Sequence, residues 1–116
     1  QFKPSVLLGL AAQPAGLFTQ SMIESMGSYC ARPIVMPMSN PTAKAECSPA
    51  QAYAWSDGKA IVATGSPFPP YKHIDGKTLI PSQCNNMYVF PGLGLAASVA
   101  GVSEITDAML YKVAAQ

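Results

Sequence analysis

The residues able to do acid–base, nucleophilic or metal chemistry are few in this chain of 116. His73 is the single histidine, and Cys30, Cys47 and Cys84 are widely spaced with no Cys-x-x-Cys pair. Neither a zinc site nor a disulfide framework is predicted from such a set. The thiols read instead as small buried side chains in a reducing compartment. No Ser/His/Asp constellation, paired carboxylates or His-Glu-x-x-His occurs. Glu24, Glu46, Asp57, Asp75, Glu104 and Asp107 read as charges on helix surfaces and turns. What remains is neutral: Asn40 and the pair Asn85-Asn86. A carboxamide donates and accepts at fixed geometry, so it can orient a carboxylate, a hydroxyl or another carboxamide without carrying charge. Each site also has a purely structural reading: a turn residue capping its own backbone for Asn40, and a helix N-cap for Asn85-Asn86.

Composition bounds the setting. Lys and Arg number 7 against 6 Asp and Glu, and only 11% of residues are charged while 49% are hydrophobic. An ordinary soluble domain carries roughly 25% charged residues. So much apolar surface excludes disorder. The absence of a basic run or face argues against phosphate-backbone recognition, so no nucleic-acid partner is expected. A small free domain needs a polar skin that this chain can barely supply, which favours a segment of a larger protein. Residues 87–102 are apolar apart from Ser98, but Pro91, Gly92, Gly94 and Gly101 interrupt them. The unbroken part falls short of the ~20 residues a membrane span needs, so a buried core helix with a close-packed glycine face is predicted and no membrane partner. The first residues lack a Lys/Arg-then-apolar layout, so no secretory signal peptide is expected in them.

The elements that would position the amides alternate between short apolar runs and amphipathic stretches, the pattern of βα units around a parallel sheet. Residues 5–10 predict a buried strand, followed by a turn at 12–16. Thr19 serves as N-cap for a helix through Met26, with Met22, Ile23 and Met26 on one face and Gly27 as the stop. Residues 34–38 predict a second strand ending in Ser39-Asn40-Pro41-Thr42. Ser48, Pro49 and Gln51 form a capping box with proline at the first helical position, and the helix it opens stops at Asp57-Gly58. Residues 60–64 predict a third strand, with a Gly/Pro-rich loop at 65–70. Asp75-Gly76 is a tight turn between extended pieces at 70–73 and 77–80. Residues 85–102 predict a buried helix bent near Pro91-Gly92, and Thr106-Asp107 opens a last helix with Met109, Leu110 and Val113 inward.

In an open parallel sheet, ligands bind beyond the carboxyl ends of the strands. The loops at 11–16, 39–42 and 65–70 leave such ends and are rich in Gly, Pro, Ser or Asn. A dinucleotide site would also show Gly-x-Gly-x-x-Gly after the first strand and an acid about 20 residues on. Neither is present, so the phosphate-cradling half of such a fold is missing.

Three segments in register carry more information than any one of them. Ser39-Asn-Pro-Thr-Ala-Lys-Ala-Glu-Cys47, Ala63-Thr-Gly-Ser-Pro-Phe68 and Gln83-Cys-Asn-Asn-Met-Tyr-Val-Phe-Pro-Gly-Leu-Gly94 closely resemble three successive signatures of malic enzyme. Lys3-Pro-Ser-Val-Leu-Leu-Gly9 and Arg32-Pro-Ile-Val35 fall in the same order and spacing as in that family. The resemblance covers essentially the whole chain. It implies an α/β fold: a Rossmann-like parallel sheet with flanking helices, incomplete, being the C-terminal portion of an NAD(P)-binding domain over residues 1–116 with closing helices at about 85–116. It implies part of an enzyme that oxidatively decarboxylates (S)-malate to pyruvate and CO2 with NAD or NADP and Mg2+ or Mn2+. In that family Asn40 would lie against malate and the nicotinamide end of the cofactor, and Asn85 and Asn86 would hold malate through its carboxylate. The family's Gly-Gln-Gly/Ala before the pair reads Ser82-Gln83-Cys84 here.

The family's general-acid tyrosine, base lysine, substrate arginine, Glu-Asp-Asp metal ligands and glycine fingerprint all precede the matched region. Tyr29, Lys44 and Tyr71 do not match them. The remainder of a malic enzyme polypeptide is therefore the expected partner, in a homo-oligomer located in the cytoplasm or an organelle matrix. The isolated chain is expected to be inactive and to lack metal ligands. A different class also fits the residues, a non-catalytic Rossmann-like binding or structural module.

Overall fold

Short runs of apolar residues closed by Gly, Pro or Ser form the strands, because each run is long enough to cross a sheet and its flanks forbid continuation. The computed structural model describes residues 2–12 and 16–116. Four parallel strands, β1 (Val6–Gly9), β2 (Ile34–Pro37), β3 (Ile61–Thr64) and β6 (Ser82–Gln83), lie in that order across one sheet. The flanking helices are α1 (Gln20–Tyr29) and α2 (Pro49–Trp55), which pack on each other. This is a partial Rossmann-like α/β arrangement. Between β3 and β6 the chain makes an antiparallel hairpin, β4 (Tyr71–Lys72) and β5 (Thr78–Leu79), around Asp75-Gly76. The turn expected at 12–16 falls partly on residues 13–15, which lie outside the described residues.

Residues 1–84 form one compact unit and 85–116 another. In the first, Val35 and Val62 face the helices and pack with Ile23, Phe18, Cys47, Ala52, Tyr53 and Ala60. Tyr53 stacks on Tyr71 with ring centroids 5.8 Å apart, which ties α2 to the hairpin. The opposite sheet face carries the register-aligned row Val6, Ile34 and Ile61, of which Val6 and Ile61 are exposed. The second unit holds a short 3-10 turn (Asn86–Tyr88), α3 (Phe90–Ala100) and α4 (Asp107–Ala114), with α3 and α4 packed together.

Local signals set most boundaries. Thr19 and Thr106 cap α1 and α4 by accepting the Met22 and Met109 amide protons. Ser48 and Gln51 complete both halves of the capping box at α2, and Asp57 and Gly58 end that helix with φ of 53° and 71°. Several expectations need correction. Helix α1 runs through Gly27 to Tyr29, since one exposed glycine costs only about 1 kcal/mol and the chain around it stays helical. The stretch 85–102 is not one bent helix. Pro91 sits in the first turn of α3, where its missing N–H costs nothing, so it starts a helix rather than bending one. Nor is that helix buried: Leu93 is its one buried residue, while Leu95 and Val99 are exposed and a Cβ on Gly92 or Gly94 would touch nothing. Its surface is apolar on every side and α4 covers only part of it. On α4, Met109 and Val113 are half-buried and Leu110 is exposed. Of the thiols only Cys47 is buried, and Cys84 is exposed.

The largest correction concerns Glu46, read above as a surface or turn charge and in fact only 1% exposed. Its carboxylate accepts the Ser39 hydroxyl proton at 2.5 Å and the Ser39 amide at 3.4 Å. Ser39 Oγ in turn accepts the Ala12 amide at 2.9 Å, and the Glu46 carbonyl accepts the Gly16 and Phe18 amides, both at 3.1 Å. One residue thereby binds the loop after β1 to the end of β2. Gly9 makes room for it, because a Cβ there would run into the Glu46 side chain.

Two measurements check these packing arguments. Glu46→Gln leaves one Ser39 donor facing an NH2, so chemical denaturation should show a loss of about 1–3 kcal/mol; unchanged stability would mean the carboxylate is not the tie. Burial, with the Glu46 carboxylate second, pushes the Cys47 thiol up to about 12 from 9.0. The unfolded chain would lose that proton above about 9 and the folded chain holds it, so the stability this thiol contributes is complete below that pH and drains as pH climbs toward 12. Iodoacetamide at mildly alkaline pH should therefore label Cys84 in the folded protein and Cys47 only with denaturant, as read by peptide mass spectrometry.

Candidate functional site

The carboxyl ends of parallel strands share one rim of a sheet, and here polar side chains follow the ends of β2 and β3. The β2 end passes through Met38 and Ser39 to Asn40, and the β3 end runs into Gly65 and Ser66. At the β6 end the Cys84 amide donates to the Thr64 carbonyl at 2.9 Å, which carries the ladder one residue past β6.

Asn40 is exposed at this rim, and among the described residues its side chain bonds to another loop rather than to its own turn. The Ser66 hydroxyl donates to Asn40 Oδ1. Gly65 lets the two loops meet, since a Cβ there would strike the Met38 carbonyl and lie 2.9 Å from Asn40 Nδ2. Ser66 is itself held, because buried Thr64 donates its hydroxyl to the Ser66 carbonyl at 2.9 Å. Nothing local in the sequence signals this brace; it joins residues 26 apart, and serine in a Gly/Pro loop reads as generic turn chemistry.

Asn85 and Asn86 open the second unit. Asn85 is half-buried and in extended conformation, and its Oδ1 accepts the Met87 amide at 3.0 Å. It therefore caps a three-residue 3-10 turn rather than the long helix expected from the sequence; α3 begins later, at Phe90, and its N-cap residue Val89 supplies no side-chain hydrogen bond. Asn86 is exposed.

The other cluster of titratable groups lies on the hairpin, toward the amino end of β3. His73 places Nδ1 3.0 Å from Asp75 and Nε2 3.9 Å from Asp57, while Lys77 reaches Asp75 at 2.7 Å and Lys59 reaches Asp57 at 3.3 Å. Hydrogen bonds from the Lys77 side chain, then its backbone amide, then His73 hold the Asp75 carboxyl well below the usual carboxylate range. These pairs are largely solvated, so they steady the turn rather than prepare a reactive group. Among the described residues no three His, Cys, Asp or Glu side chains converge to hold a metal ion, and no helix is long and apolar enough to cross a membrane.

Comparison with known proteins bears on the rim. A family model described as the NAD-binding domain of malic enzyme matches residues 1–116. The NAD-dependent malic enzyme of Sodalis glossinidius is 53% identical over 108 residues, 93% of this chain and 19% of that protein. That of Aeromonas hydrophila is 49% identical over 108 residues, with the same shares of each chain. An NADP-dependent malic enzyme from Dictyostelium discoideum is 51% identical over 112 residues, 97% of this chain and 20% of that protein. The chain thus spans about a fifth of the length of the curated relatives it matches. With the motif-bearing loops at strand ends and a match along its whole length, the chain belongs to the malic enzyme family, within its NAD-binding domain.

Proposed function

We propose that this chain works as part of a malic enzyme, (S)-malate + NAD(P)+ → pyruvate + CO2 + NAD(P)H, and that Asn40, Asn85 and Asn86 hold the substrate, with Asn40 also against the nicotinamide. The observation that carries the reading is Asn40, an exposed amide at the carboxyl end of a parallel strand whose oxygen is already engaged by Ser66. Its NH2 has no protein partner among the described residues, which suits an oxygen acceptor such as a carboxylate or a carboxamide. Asn86 is exposed and Asn85 is fixed by its turn, both compatible with a role in holding a carboxylate.

The residues present fit the nicotinamide end of the cofactor and not its pyrophosphate, for which this sequence offers no glycine fingerprint. A nicotinamide cofactor bound there would supply the acceptor for the hydride from C2 of malate. This chain's amides would hold the malate carboxylate and keep C2 in line with the nicotinamide, a positioning role that gains its effect by removing orientational freedom. The divalent metal expected in the whole enzyme finds no ligand set among the described residues. The exposed Val6, Leu8 and Ile61 favour completion by further polypeptide, which relatives five times this length would supply. Exposed apolar surface on α3 supports assembly into a homo-oligomer, and the three free thiols suit an intracellular setting.

The test uses the full-length protein that contains this chain. It should reduce NAD(P)+ in proportion to (S)-malate consumed, with equal pyruvate and CO2, and Asn86→Ala should raise the malate KM by roughly tenfold or more. The 116-residue chain alone should neither turn over malate nor bind divalent metal tightly. Turnover by the chain alone, or a full-length protein indifferent to malate, would count against the reading. The second outcome would favour a non-catalytic binding or structural module.

A further inference from the structure

An asparagine amide has two ends of nearly equal size, one a donor and one an acceptor, and only a fixed partner decides which is free for a ligand. At Asn40 that partner is Ser66, whose hydroxyl donates to Oδ1. Three features keep Ser66 in place. Thr64, 1% exposed, donates to the Ser66 carbonyl at 2.9 Å. The Cys84 amide donates to the Thr64 carbonyl, so the strand end that launches the turn is paired. Gly65 is pressed so close to Asn40 that a Cβ would lie 2.9 Å from Nδ2 and 3.0 Å from Oδ1. The amide is braced from the hydroxyl on one side and from backbone on the other.

We infer that Ser66 is a positioning residue that makes Asn40 a hydrogen-bond donor: it occupies Oδ1 and leaves Nδ2 for an oxygen of the ligand. This inference rests on the malate reading above. The oxygen can belong to malate or to the nicotinamide carboxamide, and the two sources share one chemistry, an acceptor without a proton of its own to give. Without Ser66 the amide can turn over and set its oxygen against the ligand's oxygen, which is repulsive. The consequence is a loss of affinity, not of fold, because Ser66 is half-buried and sits outside the apolar core.

The experiment is steady-state kinetics of the full-length enzyme with malate and NAD(P)+ varied independently, alongside thermal unfolding. Ser66→Ala should raise one KM by about three- to tenfold with little change in the unfolding midpoint. A rise in the malate KM names malate as the source of the acceptor, and a rise in the cofactor KM names the nicotinamide. Ser66→Thr, which keeps the hydroxyl, should restore the wild-type value, and Ser66→Cys, a weaker donor of similar size, should fall between them. In an Asn40→Ala background Ser66→Ala should add nothing, since it acts through the missing amide. The inference fails if Ser66→Ala leaves both KM values unmoved, if Ser66→Thr is as impaired as Ser66→Ala, or if the effect persists undiminished without Asn40. An active wild-type enzyme with an unmoved Ser66→Ala sinks the positioning role alone. A wild-type enzyme that ignores malate sinks the malate reading with it.

Discussion

The first unit depends on one buried carboxylate. A charge taken out of water is tolerable only when hydrogen bonds replace its hydration, and Glu46 gets two of them from Ser39. The exchange is structural. Strand ends in a parallel sheet lead into irregular loops that have no ladder to hold them, and something must supply their missing hydrogen bonds. Glu46 does so with both its side chain and its carbonyl, for Ser39 on one loop and for Gly16 and Phe18 on another. Asn40 is the residue after Ser39, so its backbone starts from a point that Glu46 has already fixed.

The same logic extends to β3, with a different device. There the anchor is a hydroxyl, Thr64, fully buried and spent on the carbonyl of Ser66. Two neighbouring strand ends thus each carry a buried polar side chain whose job is to shape the following loop, and the two loops meet where Gly65 admits Asn40. Small residues at 9 and 65 are the condition for this arrangement: each stands where a Cβ would displace a polar group of the rim. The resulting hydrogen bonds connect residues that are remote in sequence, which is the kind of contact that fixes a single loop conformation rather than a family of them.

What could be read from the sequence follows from how local each cause is. The capping box at Ser48, the Thr19 and Thr106 caps and the Asp75-Gly76 turn are decided within four residues, and all three kinds of signal are present in the structure as expected. Strands β1, β2 and β3 announce themselves as compact apolar runs. Strand β6 does not, since Ser82-Gln83 has neither apolar run nor alternation and is a strand only because β3 offers an edge. Glu46 is not legible as buried, because a glutamate among small polar residues looks solvated until its distant partners are known. The apolar run of α3 misleads in the opposite direction: hydrophobicity around a whole helix predicts burial only where neighbours exist to bury it. The amides at 40, 85 and 86 could be singled out by elimination and by their motifs, but the Ser66 brace could not.

A neutral amide, Asn40, makes sense at the rim of a chain with so little charge. A charged group at the same place would attract an anion more strongly, but it would also have to be desolvated, and in the absence of ligand it would repel or recruit its own counter-ion. A carboxamide held by protein has no such cost and no pH dependence, and it discriminates by direction rather than by sign. That discrimination exists only if the amide cannot turn, which is why a positioning hydroxyl matters more here than it would beside an arginine, whose every N–H is a donor. The one buried carboxylate near the rim, Glu46, is taken up by Ser39, while other charges pair on the hairpin around His73, so Asn40 itself meets a hydroxyl and backbone dipoles that the fold orients.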